Sequence, residues 1–158
     1  MPNIFDGNHG AVQGRFAIVV ARYNDSITAK LLDGAVETLL MHGVLDGEID
    51  VFWTPGAFEI PLVADRLAES QNYAAVLCLG AVIRGETTHD EHINRAVSLA
   101  FMKSSIRHRI PVLFGVLTCN TLEQAIHRAG GNVGNKGVEC AQAALEMVRL
   151  LAKLPAKS

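Results

Sequence analysis

The feature that most constrains the fold of this chain is a fourfold alternation of apolar runs with amphipathic stretches. Continuous apolar runs are typical of strands buried on both faces, and the intervening stretches have helical spacing. Strands alternating with helices predict a parallel sheet with right-handed crossovers and helices on both faces. We therefore predict a flavodoxin-like three-layer α/β/α sandwich with a four-stranded parallel sheet. The predicted strands are Phe16–Ala21, Ile49–Trp53, Ala74–Ile83 and Pro111–Thr118.

The ends of the chain differ from this pattern. Residues 1–15 contain three glycines and few apolar side chains, so they predict an extended arm that needs a surface to receive it. The sheet of a neighbouring subunit is one such surface. Residues 16–154 fit one α/β domain with its own core, and residues 155–158 are expected to be a frayed tail.

Composition limits the possible partners. Apolar residues make up 49% of the chain and charged residues 19%, and such an apolar excess suggests subunit contacts. The formal net charge is -2 without a basic run, which argues against binding to nucleic acid or to an anionic membrane. The chain shows neither a signal peptide nor an apolar run of about 20 residues, so a cytoplasmic protein is expected. Cys78, Cys119 and Cys140 lie in apolar segments and predict buried thiols.

The stretch from Leu79 to Glu91 carries the strongest functional signal. An apolar run ends at Arg84-Gly85, and Thr88 to Glu91 match the capping-box pattern that opens a helix. Because the first N–H groups of a helix lack internal partners, residues 85–88 form a seat for phosphate. His89, at the first helical position beside this seat, suggests proton transfer. The same residues also fit a merely capped helix with a solvated histidine.

Other candidate residues follow the first and second strands. Ligands of parallel sheets bind at the carboxyl ends of the strands. Tyr23 offers a flat face to an aromatic ligand, or is an ordinary half-buried loop aromatic. Pro61 sets the start of the next regular helix and leaves Ala57, Phe58 and Glu59 in the turn. Glu59 either accepts from ring N–H groups or balances the helix dipole.

The sequence does not favour a metal site or a cysteine nucleophile. His89 and His92, three residues apart, lack the flanking pattern of zinc motifs, so we predict no metal ion. Cysteine nucleophiles are disfavoured because no cysteine lies in an electropositive pocket.

Arg128 is about eight residues into its predicted helix, roughly 12 Å beyond the strand ends. It therefore either serves the phosphate seat of an adjoining subunit or is a solvated helix arginine.

Four motifs occur in order along the chain: Gly56-Ala57-Phe58-Glu59-Ile60-Pro61, Gly80-Ala81-Val82-Ile83-Arg84-Gly85-Glu86-Thr87-Thr88-His89, Ala125-Ile126-His127-Arg128-Ala129-Gly130 and Gly134-Asn135-Lys136-Gly137. Taken together, these motifs resemble the 6,7-dimethyl-8-ribityllumazine synthase family of riboflavin biosynthesis. The likeness runs from Arg15 to about Leu150 in the family's order.

The resemblance implies condensation of 5-amino-6-(D-ribitylamino)uracil with 3,4-dihydroxy-2-butanone 4-phosphate, without a metal or redox cofactor. It implies that Tyr23 stacks on the pyrimidine and that His89 donates and accepts protons. Glu86 and Thr87 correspond to the phosphate-binding pair, although Glu86 replaces the small residue common there. The residues implied to hold the pyrimidine and the ribityl chain are Ala57, Phe58, Glu59, Ala81, Val82 and Ile83.

The resemblance also implies a homo-oligomer with active sites at subunit interfaces. In the family, Phe114 and Arg128 come from the neighbouring subunit, and Arg128 reaches the phosphate. Lys136 matches a basic residue near the same region. Family members are built from pentamers, alone, paired, or in sixty-subunit shells. The alternative is a container protein of the same fold that holds a flavin or lumazine without turnover.

Overall fold

The computed structural model describes residues 1–131 and 133–156, which form an alternating α/β chain. The strands are β1 Phe16–Ala21, β2 Ile49–Thr54, β3 Ala75–Ile83, β4 Val112–Cys119, β5 Ala129–Gly131 and β6 Gly134–Asn135. The helices are α1 Asp25–Met41, α2 Ile60–Glu69, α3 His89–His108, α4 Leu122–His127 and α5 Lys136–Leu151. Two short 3-10 turns occupy Asp46–Glu48 and Ala57–Glu59. The part of the tail at residues 157–158 lies outside the described residues.

The main sheet has the strand order β2-β1-β3-β4 and is parallel throughout. All six residues of β1 are buried. Phe16, Ile18 and Val20 pack with α1 and α5 on one face, while Ala17 and Val19 pack with α2 and α3 on the other. The predicted three-layer sandwich is therefore confirmed.

The strand predictions were accurate to one residue at each end. β1 has the predicted bounds, and β2 extends one residue further because Thr54 still pairs with Ala21. β3 starts one residue later than predicted. β4 is displaced by one residue at both ends, and Pro111, which has no N–H group to donate, precedes it.

Helix α3 begins at His89 as predicted, but the predicted capping box is wrong in its hydrogen bonds. Thr88 makes no side-chain cap hydrogen bond, and its φ of -85° and ψ of 17° differ from the extended backbone typical of a capping residue. Instead, the Thr87 hydroxyl accepts from the His89 N–H at 3.3 Å. The Thr88 hydroxyl lies 3.4 Å from Nε2 of His92.

The segment after β4 is less helical than predicted. The pattern Asn120-Thr121-Leu122-Glu123 predicts a capped helix that runs to Ala129, where Gly130-Gly131 ends it. Thr121 does cap α4, accepting from the Gln124 N–H at 3.2 Å, but the helix ends at His127. Strands β5 and β6 then pair antiparallel. The sequence also predicts that the last helix starts at Asn135. In the structure Asn135 caps α5, because its side-chain oxygen accepts from the N–H groups of Gly137 and Val138 at 2.8 and 3.1 Å.

The N-terminal arm is received in part by helix α5 of its own chain. Lys153 Nζ donates to the carbonyl oxygens of Asp6 and His9 at 2.7 and 3.0 Å. Gly7 is buried where a Cβ would collide with the main chain of Glu146. Residues 1–5 lie exposed beyond this contact.

The three cysteines are buried, as predicted. In the described ranges, the structure contains no helix of the length and apolarity needed to cross a membrane.

Candidate active site

A cavity of about 270 Å³ lies at the carboxyl edge of the main sheet. It brings together the ends of β1 and β2 and the start of α3, as the topology of a parallel sheet requires. An apolar cavity of about 370 Å³ is lined instead by residues such as Ile106 and Met147 and offers no pair of acid and base groups. The lining of the smaller cavity is Tyr23, Gly56, Ala57, Phe58, Glu59, His89 and Ile93.

Tyr23 is held at this cavity by hydrogen bonds that continue the sheet beyond its last strand pair. The N–H groups of Arg22 and Tyr23 donate to the carbonyl oxygens of Thr54 and Pro55, each at 2.8 Å. The Tyr23 ring rests against the bare Cα of Gly56, where an added Cβ would lie 2.6 Å from the ring. Since 60% of Tyr23 is exposed, the ring presents a free surface to a ligand.

The turn Ala57–Glu59 forms the opposite wall. Gly80 on β3 makes room for it, since a Cβ there would already lie 3.4 Å from the Cβ of Ala57. Phe58 and Glu59 project outward, and the Glu59 N–H donates to the Gly56 carbonyl at 3.3 Å. An aromatic face and a carboxylate acceptor therefore stand beside the Tyr23 ring.

The end of β3 supports the cavity without lining it. Ala81 and Val82 are buried and Ile83 is partly buried. Asn24, in the left-handed region at φ 63°, donates from its side-chain amide to the Ala81 carbonyl at 2.8 Å. By residue type, Asn24, Asp25 or Ser26 could cap α1. In the structure the Asn24 side chain makes no cap hydrogen bond and instead ties the Tyr23 loop to β3.

The turn between β3 and α3 has the hydrogen-bonding pattern of an anion seat. Its backbone is anchored by the Arg84 N–H, which donates to the Cys119 carbonyl at 2.7 Å. Within the described part of the chain, the N–H groups of residues 85–88 donate to no protein acceptor. They precede a helix of 20 residues, whose dipole favours negative charge at this end. The side chains of Glu86 and Thr87 are exposed at this turn.

Asp90 is a residue of this region that the sequence reading did not single out. It is only 8% exposed, and its Oδ1 atom is buried without a hydrogen-bond partner among the described residues. Its burial together with Val97 and Phe101 places it on the core-facing side of α3. The period of that side, about 3.6 residues, is the signal that would have found it.

Arg128 and Lys136 line a different cavity, of about 200 Å³, together with Glu139 and residues of β4 and β6. Arg128 is the C-terminal capping residue of α4, which ends at His127, rather than a residue inside the helix as predicted. Arg128 lies near the end of β4, because it lines this cavity together with Leu117. Its charge opposes the effect of burial, which raises the pKa of the Cys119 thiol. Arg128 and His89 line different cavities.

Phe114 is also remote from the His89 cavity. It lies on the edge strand β4, opposite Cys78, and contacts Phe101 at a ring-centroid distance of 5.9 Å. The strand continues for five residues to Cys119, roughly 16 Å at the rise of a β-strand. Since 40% of Phe114 is exposed at the sheet edge, it faces outward.

The cysteines are unsuited to nucleophilic catalysis. Burial raises the pKa of Cys140 to about 12 and that of Cys78 well above its ordinary value. Thiolates are therefore scarce at neutral pH. Over residues 1–131 and 133–156, no group of three or more potential metal-binding side chains converges.

The arrangement can stack a flat heterocycle on Tyr23, accept hydrogen bonds at Glu59 and transfer protons at His89, beside a seat for an anion. Comparison with known families gives one match over most of the chain. A family model described as 6,7-dimethyl-8-ribityllumazine synthase matches residues 13–152 of the 158.

Proposed function

The chain belongs to the 6,7-dimethyl-8-ribityllumazine synthase family of riboflavin biosynthesis, and from this membership we propose its reaction. It condenses 5-amino-6-(D-ribitylamino)uracil with 3,4-dihydroxy-2-butanone 4-phosphate to give 6,7-dimethyl-8-ribityllumazine, phosphate and two molecules of water. The observation that carries the proposal is the 270 Å³ cavity that joins Tyr23, Glu59 and His89, with unpaired N–H groups just before His89.

The first substrate is a flat, hydrogen-bonding ring with a polyhydroxylated chain. Its ring stacks on Tyr23, whose exposed face is available, while Phe58 supplies a second apolar contact. The carboxylate of Glu59 accepts hydrogen bonds from N–H and hydroxyl donors of this substrate. Ala57, together with Ala81, Val82 and Ile83 behind it, fixes the depth to which the ring enters.

The second substrate is recognised by its phosphate. The unpaired N–H groups of residues 85–88 point to the head of α3 as the phosphate seat, with the Thr87 hydroxyl beside them. This location brings the ketone carbonyl of the second substrate near His89. The amine of the first substrate then lies within reach of the same carbonyl.

Catalysis begins when the pyrimidine amine attacks the butanone carbonyl. The substrate supplies its own amine, so no enzyme lysine is needed for the imine. His89 moves protons during imine formation, which releases the first water, during the elimination of phosphate and the enolisation, and during ring closure, which releases the second water. Holding the two substrates side by side contributes several kcal/mol to the rate acceleration.

We propose that the active site is completed by a second copy of the chain, as in pentamers of the family. Arg128 and Phe114 cannot complete the His89 cavity of their own chain. Arg128 lines another cavity, and Phe114 lies on the outer strand β4. In the assembly they approach the His89 cavity of the neighbour, with Lys136 nearby. The exposed apolar side chains Leu99 and Met102 on α3 favour subunit contacts.

The exposed start of the arm gives a further contact between copies. Ile4 and Phe5 are apolar and exposed, and β2 is an outer strand of the sheet with Trp53 half exposed. An added strand would pair with the free backbone N–H and C=O groups of β2 and cover these side chains. We therefore assign residues 1–5 to the β2 edge of a neighbouring copy.

The direct test mixes the two substrates with the purified protein and follows the fluorescence of the lumazine product. Turnover above the uncatalysed rate supports the assignment. A protein that binds the lumazine without accelerating its formation would instead be the non-catalytic container of the same fold.

Two variants separate the proposed roles of His89 and Arg128. His89→Ala should lower kcat by roughly 10²-fold or more while leaving pyrimidine affinity nearly unchanged, because acid–base catalysis is lost. Arg128→Ala should mainly raise KM for the butanone phosphate. If each active site is shared between chains, co-refolding the two variants restores part of the activity. Unchanged kinetics in both variants, or no recovery on mixing, would contradict the shared site.

A further inference from the structure

The phosphate seat carries a carboxylate where an anion is to bind. Glu86 lies inside the run of residues 85–88 whose N–H groups have no protein acceptor. Its side chain is exposed, and it forms no hydrogen bond or salt bridge within the described ranges of the chain. The carboxylate is therefore free to add an uncompensated negative charge to the seat.

The neighbouring charges do not cancel it. The first turn of α3 contains two more acids, Asp90 and Glu91, and the nearest cation along the chain is Arg84. Arg128 and Lys136 line the other cavity. Within one chain, the backbone N–H groups attract an anion, while three acidic side chains around them outnumber the one nearby cation, Arg84.

We propose that Glu86 weakens the binding of phosphate dianions at the head of α3. This inference rests on the proposed function, since it assigns the seat to the phosphate of the second substrate. The physical consequence is that the inorganic phosphate formed by the reaction dissociates readily. Retention of the second substrate then depends on cations brought by a neighbouring copy.

The size of the effect follows from Coulomb's law. A unit charge about 7 Å from a dianion in water changes its dissociation constant by roughly sevenfold at low ionic strength. With a Debye length of about 8 Å, the change falls to roughly twofold at physiological ionic strength. The dependence on salt thus distinguishes a charge effect from a change in the shape of the turn.

The experiment measures the dissociation constant of inorganic phosphate by calorimetry for the wild type, Glu86→Gln and Glu37→Gln. Glu37 is the matched control, because it is an exposed glutamate of α1 and its replacement changes the net charge equally. It lies 12 residues beyond the start of α1, roughly 18 Å along the helix. We expect Glu86→Gln to bind phosphate roughly sevenfold more tightly at low salt and about twofold more tightly at physiological salt, with Glu37→Gln unchanged.

Kinetic measurements test the role of Glu86 separately from the proposed reaction. Glu86→Gln should lower KM for the butanone phosphate and strengthen product inhibition by phosphate, while KM for the pyrimidine stays unchanged. Equal phosphate affinities in Glu86→Gln and Glu37→Gln would overturn the role of Glu86 even if the lumazine forms. Tighter phosphate binding without lumazine formation would support Glu86 at an anion site and refute the proposed reaction.

Discussion

The contact between Gly56 and Tyr23 allows the aromatic wall of the cavity to be displaced by a single methyl group. In Gly56→Ala the new Cβ would lie 2.6 and 2.9 Å from Cδ2 and Cε2 of Tyr23. Carbon atoms in contact are normally 3.5–4.0 Å apart, so the ring must move by about 1 Å. The backbone need not change, because the φ of -137° at Gly56 is extended and accepts alanine.

The displacement should reduce binding more than stability. Tyr23 is 60% exposed and can swing outward, so the loss in unfolding free energy should stay below about 1 kcal/mol, partly offset by the reduced entropy of the unfolded chain. An aromatic stacking contact contributes about 0.5–1.5 kcal/mol. The dissociation constant of 5-amino-6-(D-ribitylamino)uracil should therefore rise roughly 2- to 13-fold.

Calorimetric titration with the pyrimidine alone measures this effect without turnover. Gly47→Ala is the control, because a Cβ there meets no atom within 4 Å. Tyr23→Leu gives the loss expected when the ring is removed. If Gly56→Ala bound the pyrimidine as tightly as the wild type while Tyr23→Leu did not, the ring position would not depend on Gly56. A loss of stability above about 3 kcal/mol in Gly56→Ala would show that the ring is not free to move.

Two other predictions concern assembly and pH. Deleting residues 1–5 should reduce the apparent mass measured by light scattering, since the β2 edge loses its added strand; an unchanged mass would remove these residues from the interface. Hydrogen bonds from Arg15 and Tyr73 lower the pKa of Asp50, so its stabilisation is present above about pH 4 and is lost as the pH falls through its folded-state value. The free energy of unfolding, measured with urea, should therefore fall more steeply for the wild type than for Asp50→Asn as the pH is lowered from about 5 to about 3. Parallel curves for the two proteins would show that Asp50 does not contribute to this pH dependence.

The sequence predicted the main sheet well because the relevant signals are local. A run such as Phe16–Ala21 is apolar at every position, and this is what burial between two helical layers requires. Asn135 likewise predicted the start of helix α5, since a capping side chain bonds to N–H groups no more than three residues away. The hairpin of β5 and β6 has no such signal, because its two strands are short and rich in glycine.

The capping-box error at α3 has a different origin. The pattern from Thr88 to Glu91 specifies residue types but not the backbone angles of Thr88. In the structure, Thr87 rather than Thr88 accepts from the first helical N–H, and the preceding N–H groups remain unpaired. A seat for phosphate requires that unpaired state, so the failure of the capping rule coincides with the proposed function.

The contacts that build the wall of the cavity could not be deduced from spacing along the chain. Gly56 supports the Tyr23 ring across 33 residues, and Asn24 reaches Ala81 across 57, through contacts that only the strand order β2-β1-β3 creates. The same order places β4 and its outward-facing Phe114 at the far edge, away from the Tyr23 wall. On the proposed function, the Tyr23 cavity of one copy receives Phe114 from the next copy, so two different surfaces of the chain meet. Head-to-tail contacts between two different surfaces generate a ring where the rotation closes, so the proposed shared site and the proposed oligomer must be present or absent together.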